Sequence, residues 1–176
     1  MTQAVRDPAV IPTDMMVRAL VAVRVFIGLD WLSNAVAKLL GKANYDWGFT
    51  TFNLVDRGTA GAILHQSVTS TAIAPLRVFY ADVVVANYGF FQWFLTAAEL
   101  AIAIGLLFGI LSRVAALAGL CLLTPIWLML LTTNQYFWTY PLDLAPLVFL
   151  AIVPTGRAFG FDGALAARFN RMRWPF

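Results

Sequence analysis

The chain is built around long apolar runs of membrane-crossing length, and one of them carries charges. Residues 24 to 41, RVFIGLDWLSNAVAKLLG, sit inside such a run and include Arg24, Asp30, Asn34 and Lys38. An unpaired charge among lipid tails costs at least ~2.5 to 3.5 kcal/mol, so these groups must face protein, water or the interface. With 61% hydrophobic and 12% charged residues, and a mean hydropathy of +0.78, the sequence lies far outside what a soluble domain needs for its core. It is expected in the cell membrane, in contact with membrane lipids.

A hydropathy window of about 19 residues predicts four spans, near Met15 to Leu40, Tyr88 to Leu111, Arg113 to Thr133 and Trp138 to Val153. Pro141 and Pro146 interrupt the first half of the fourth. The expected fold is an all-α integral membrane protein, one domain over residues 1–176, in which four transmembrane helices form a bundle and a long outer segment, 41–87, joins the first two. A cleaved leader is the competing account of the first span, since Ala35-Val36-Ala37 has cleavage-type residues. Arg24 and Asp30 break the apolar region such a leader needs, so the segment is read as a retained helix.

Four crossings put Arg6, Arg18, Arg113, Arg157, Arg168, Arg171 and Arg173 on one side and Lys42, Arg57 and Arg77 on the other, which predicts a multi-pass protein with both termini cytoplasmic. The link LTTNQYFWTYP, residues 131–141, has aromatics and no Lys or Arg, as an outer interface should. In the outer segment, APLRVFYADVVVAN reads as a helix with Pro75 in its first turn and Leu76, Phe79, Tyr80 and Val83 on one face. Lying on the membrane surface is the preferred placement, and capping the bundle is the alternative.

Arg24, Asp30, Asn34 and Lys38 fall within a sector of roughly 120° on the first helix. Lys38 is expected to snorkel to the outer interface. Glu99, in WFLTAAELAIAIGLLFG, falls near the midplane of the second span, about level with Asp30, and requires a partner or a proton. Arg24 is long enough to be that partner. The three together read either as an ion pair fixing helix register or as a polar site that binds a headgroup or relays a proton. Ala97, Ala101, Gly105 and Gly109 recur every four residues, as a backbone-packing stripe would, with Glu99 pointing away from it. Asp143 is read as a cap on the fourth helix, Cys121 as a small buried apolar residue, and Pro125 beside Trp127 as a source of a kink.

One cysteine and one histidine, His65, exclude an intrachain disulfide, a Cys-rich metal or iron–sulfur site and bis-His haem ligation within this chain, so no metal site is expected. A net charge of +3 without a basic run gives no nucleic-acid footprint.

These residues resemble the DoxX family, and within it the DoxD-like small subunits of thiosulfate:quinone oxidoreductase. The resemblance covers most of the chain. It rests on Arg24, Gly28 and Lys38 in the first helix, on Glu99, Gly105, Gly109 and Arg113 in AELAIAIGLLFGILSRVAALAGL, and on Gly156, Gly160 and Asp162 in PTGRAFGFDG. Asn34 stands where many such sequences have a histidine, so no histidine chemistry carries over. The resemblance implies a four-helix membrane subunit with quinone contact, no covalently bound cofactor, and a redox partner subunit in a larger membrane complex. It does not extend to thiosulfate, because nothing in these residues recognises sulfur oxyanions.

The leading expectation is a membrane subunit of a quinone-linked oxidoreductase assembly, not catalytic alone, in which Arg24, Asp30, Asn34 and Glu99 line a polar intramembrane pocket while Lys38, Gly105, Gly109, Arg113 and Asp143 serve structure or interface. The alternative is a noncatalytic accessory or assembly subunit of a larger membrane complex. Small-molecule transport ranks below both, for want of an internal repeat.

Overall fold

The computed structural model describes residues 13–132 and 137–169. Arg6, Arg171, Arg173 and part of the 131–141 link lie outside the described residues. Seven α-helices occur among the described residues: α1 (Thr13–Leu40), α2 (Arg57–Ser70), α3 (Ala74–Phe79), α4 (Tyr88–Phe108), α5 (Ser112–Leu130), α6 (Pro141–Ile152) and α7 (Asp162–Arg168). Helices α4 and α5 are long and apolar enough to cross a membrane. Helix α6 starts at Pro141, whose fixed φ suits a first turn, and its 12 residues extend only ~18 Å. Helix α5 runs through Pro125 without ending.

The four longest apolar elements close a ring in which α1 packs on α4 and α6, and α5 on α4 and α6. Ile27, Trp31, Ile102, Leu106, Ala116, Leu147 and Leu150 fill its interior. Large apolar side chains point outward, Phe26 at 70% exposure, Phe90 at 67% and Phe149 at 61%, whereas Arg24 is 1% exposed. Charge inside and phenyl groups outside is the pattern a hydrocarbon surrounding selects.

The outer segment is more structured than periodicity indicates. A hairpin of β1 (Asn44–Asp46) and β2 (Thr51–Asn53) pairs Tyr45 with Phe52, whose rings stack 5.4 Å apart. Its turn places Gly48 at a φ of +80°, a region that favours glycine, and the Gly48 amide donates to the Asp46 carboxylate. Asp56 caps α2, accepting the Thr59 amide at 2.8 Å, and its bonds from Thr59 hold its carboxyl below the usual range. The expected helix after Pro75 forms, but it widens into a π-helical stretch over Tyr80–Val85. Of the expected face, Leu76 and Tyr80 pack against Leu64 and Met129, whereas Phe79 and Val83 are exposed and Val84 takes the buried place. Since α2 and α3 both pack on α5, and α2 on α4, the segment folds over one end of the ring, as the capping alternative expects.

At the opposite end a polar clasp joins three distant parts of the chain. The α4–α5 turn needs two left-handed residues, Gly109 at a φ of 61° and Leu111 at 49°, and leaves the first amides of α5 without intrahelical acceptors. Asp162, 1% exposed, takes them: its carboxylate accepts from the Leu111 amide at 2.6 Å, the Ser112 amide at 3.0 Å and the Ser112 hydroxyl at 2.7 Å. Arg24 donates to the Thr155 carbonyl at 2.8 Å and the Phe159 carbonyl at 2.5 Å, and lies near enough to Asp162 for their charges to offset. Gly156 sits where a Cβ would overlap the Asp162 carboxylate, and a Cβ on Gly109 would come 2.9 Å from Arg24 Nη1. Arg113 Nε, beside the clasp, donates to the Ala151 carbonyl in the last turn of α6 at 2.9 Å.

Asp162→Ala would strand the Leu111 and Ser112 donors, and Arg24→Met would strand the Thr155 and Phe159 carbonyls. Each is expected to lower unfolding stability in detergent by ~3–5 kcal/mol, while Arg24→Lys, with its ammonium unable to span both carbonyls, recovers only part. Unfolding curves coincident with the unsubstituted chain would contradict the clasp.

Candidate functional site

The charges predicted as one stripe on α1 divide between two places. Arg24 belongs to the clasp. The expectation that it pairs with Glu99 beside Asp30 is therefore corrected: both Nη groups are taken by carbonyls at the far end of the bundle. The partner of Glu99 is Lys38, whose ammonium lies 2.9 Å from Glu99 Oε2. Lys38 does not snorkel outward. Its side chain is 4% exposed and that of Glu99 17%, because an ammonium with a carboxylate within reach across α1 and α4 gains more from pairing than from stretching to an interface. Glu99 Oε2 makes no well-aligned hydrogen bond, so the contact is chiefly Coulombic.

This pair borders a partly open cavity of about 440 Å³ lined by α1, α4, α5, the start of α6 and the cap. At ~1.5 Å per residue, Asp30 lies about 9 Å outward of Arg24, Glu99 about 15 Å outward of Gly109, and Asp143 about 12 Å outward of Ala151. Since Gly109 touches Arg24 and Ala151 bonds Arg113, the three carboxylates fall within about 6 Å of one another in depth. Asp30 is close enough to both Glu99 and Asp143 for their charges to interact. Asp143 also stands in the first turn of α6, where a negative charge is favoured.

Asn34 borders the cavity too, but its amide is engaged: Oδ1 accepts from the Val55 amide at 3.1 Å and Nδ2 donates to the Asp30 carbonyl at 3.2 Å. It pins the returning outer chain to α1. The small-residue stripe on α4 is also divided, with Gly105 and Gly109 packed and Ala97 and Ala101 facing outward. Cys121, expected buried, is exposed and borders the cavity. His65 is exposed on α2.

Sequence reasoning missed the apolar and hydroxyl-bearing wall. Trp31, Tyr80, Tyr88, Phe91, Phe94 and Tyr140 all line the cavity. Their aromatic character was visible, but their convergence depends on the outer segment folding back as a cap. The Tyr88 hydroxyl is occupied by the Arg57 carbonyl at 2.6 Å. The chemistry on offer is a mostly apolar chamber with one buried ammonium and three carboxylates along its walls, which suits a largely apolar ligand bearing a hydrogen-bond acceptor. Among the described residues no group of three or more His, Cys, Asp and Glu is placed to hold a metal ion.

Replacing Lys38 by Met or Glu99 by Gln should each destabilise the chain by ~3–5 kcal/mol, with the double replacement recovering a large part. Arg24→Gln combined with Glu99→Gln should instead be additive. Unfolding cycles in detergent read both, and strong coupling of Glu99 to Arg24 rather than to Lys38 would contradict the arrangement.

No family model, curated protein or solved structure matches this chain.

Proposed function

We propose that this chain is a multi-pass membrane subunit of a quinone-linked oxidoreductase assembly, with α1, α4, α5 and α6 as its four membrane helices. The carrying observation is the mid-bundle cavity of about 440 Å³ with aromatic walls and a buried Lys38–Glu99 pair. Its volume lies in the range of small-ligand pockets. A quinone, when bound, accepts electrons and protons together; the electrons come from a redox partner subunit, since no redox group is supplied by these side chains.

Lys38 replaces Arg24 as the donor toward a ring carbonyl. Glu99 holds that ammonium across α1 and α4, 2.9 Å from its carboxylate. Asp30 and Asp143, at a similar depth, are placed to hold and deliver protons, and the aromatic walls exclude water from the ring's apolar face. Arg24, Asn34 and Arg113 act as positioning residues, through the clasp, the Asn34–Val55 bond and the Arg113–Ala151 bond.

The accessory-subunit reading draws on the outward aromatic surface of Phe26, Phe90 and Phe149. In the intact assembly, Lys38→Met with Glu99→Gln should cut quinone-dependent turnover by at least about tenfold, as expected for loss of a charge-assisted hydrogen bond, with subunit composition unchanged. Normal turnover in the fully assembled double variant would leave the accessory role.

Membrane topology is tested apart from activity. With Cys121 replaced by Ala, a cysteine at Ser70, in the outer cap, should react with an impermeant thiol reagent added to intact cells, and one at Ala167, on α7, should not. Reaction at both positions would remove the four-span reading.

A further inference from the structure

Two cavity walls extend to the outside of the bundle. The exposed residues of α5 recur at helical spacing as Val114, Leu117 and Cys121, the stripe that faces away from the core. Those of α4 recur as Phe90, Phe94, Ala97, Ala101, Ile104 and Phe108. Phe94 and Cys121 belong to these outward stripes and also line the cavity. The two helices are closest near the clasp, where a Cβ on Gly105 would approach the Ala115 Cβ to 2.7 Å and the short turn 109–111 joins them. Toward the cap their facing sides border open volume.

The cap end is fastened. The Arg57 guanidinium stacks over the Trp93 ring at 4.0 Å, a Cβ on Gly61 would meet the Tyr88 ring at 2.9 Å, and the Val55 amide is tied to Asn34. Ala60, Ile63, Leu64 and Ser67 of α2 thereby form a wall over that end of the cavity. Four residues that line the cavity are exposed, Asp30 on α1, Phe79 in the cap, and Phe94 and Cys121 on the outward stripes; the last two lie where a ligand arriving between α4 and α5 from the hydrocarbon phase would pass.

We propose that the cavity fills sideways from the bilayer through a slot between α4 and α5 flanked by Phe94 and Cys121, and that its ligand is a tailed amphiphile. The polar ring lies inward against Lys38 and Glu99, and the hydrocarbon tail runs out through the slot among lipid chains. This rests on the membrane and quinone reading above and narrows it, because a ring without a tail gains nothing from the slot. The tail removes apolar surface from water only while it stays in the slot or the bilayer, so release of the ligand to the aqueous side is disfavoured.

The test uses the full-length chain in lipid nanodiscs and two photoreactive decyl benzoquinones, one with the diazirine on the ring and one with it at the end of the tail. Mass spectrometry locates the adducts. Ring adducts at Trp31, Asn34, Lys38 or Glu99 together with tail adducts at Phe94, Cys121 or Leu117 are expected. Ring adducts in the cavity with tail adducts at Ile63 or Ser67 would overturn the slot and leave the quinone reading standing. Ring adducts nowhere in the cavity would overturn both. Cys121→Trp supplies a second measurement: it should slow both association and dissociation of the ring probe several-fold while its adducts stay on the same residues. Unchanged rates would overturn the slot.

Discussion

A guanidinium buried at one end of an apolar bundle needs oxygens for its donors and an opposite charge nearby, and Arg24 finds carbonyls for both Nη groups and the Asp162 charge among residues more than a hundred positions away. Its bonds to Thr155 and Phe159 fix the loop after α6. That loop delivers Asp162 to the bare amides of α5. The charge on α1 thus sets the α4–α5 turn, and the turn sets where α4 and α5 meet. Without this closure at one end, the separation between the helices farther along, which forms the cavity, would have no fixed reference. The clasp is costly to break because each half satisfies groups that the other half leaves buried.

The second buried charge pair differs in kind. Lys38 and Glu99 contact one another at 2.9 Å without the dense hydrogen-bond shell that surrounds Asp162, and they border open volume. A densely hydrogen-bonded cluster packed against backbone rigidifies; a charge pair that borders open volume retains donor and acceptor capacity for something else. This contrast supports assigning structure to the Arg24–Asp162 cluster and ligand contact to Lys38 and Glu99.

Helix positions were legible because hydropathy and helical period are local properties: the boundaries of α1, α4 and α5 fall close to those read from the sequence. Glu99, Asp30 and Asn34 were legible as cavity candidates for the same reason, a charged or polar group on an apolar helix. The pairing was not. Arg24, Asp30 and Lys38 share a face of α1, and choosing which of Arg24 and Lys38 meets Glu99 requires the vertical offset between α1 and α4, a tertiary quantity set by the clasp. Gly156, Gly160 and Asp162 carried sequence signal only as spacing after the last helix, and their use appears once Gly109 is packed against them. The cap was illegible for another reason. The π-helical winding over Tyr80–Val85 shifts which residues face inward, so a count at the α-helical period finds Leu76 and Tyr80 but selects Val83 where Val84 is buried.

The central claim is that the Lys38–Glu99 cavity holds a quinone while the Arg24 clasp only holds the fold. Gentle extraction of the chain from its native membrane, followed by identification of the small molecules that co-purify, tests it most directly. The account predicts a quinone in stoichiometric amount with the unsubstituted chain and with Arg113→Lys, and its loss from a folded Lys38→Met, Glu99→Gln double variant. Equal quinone content in both, or none in either, would contradict it.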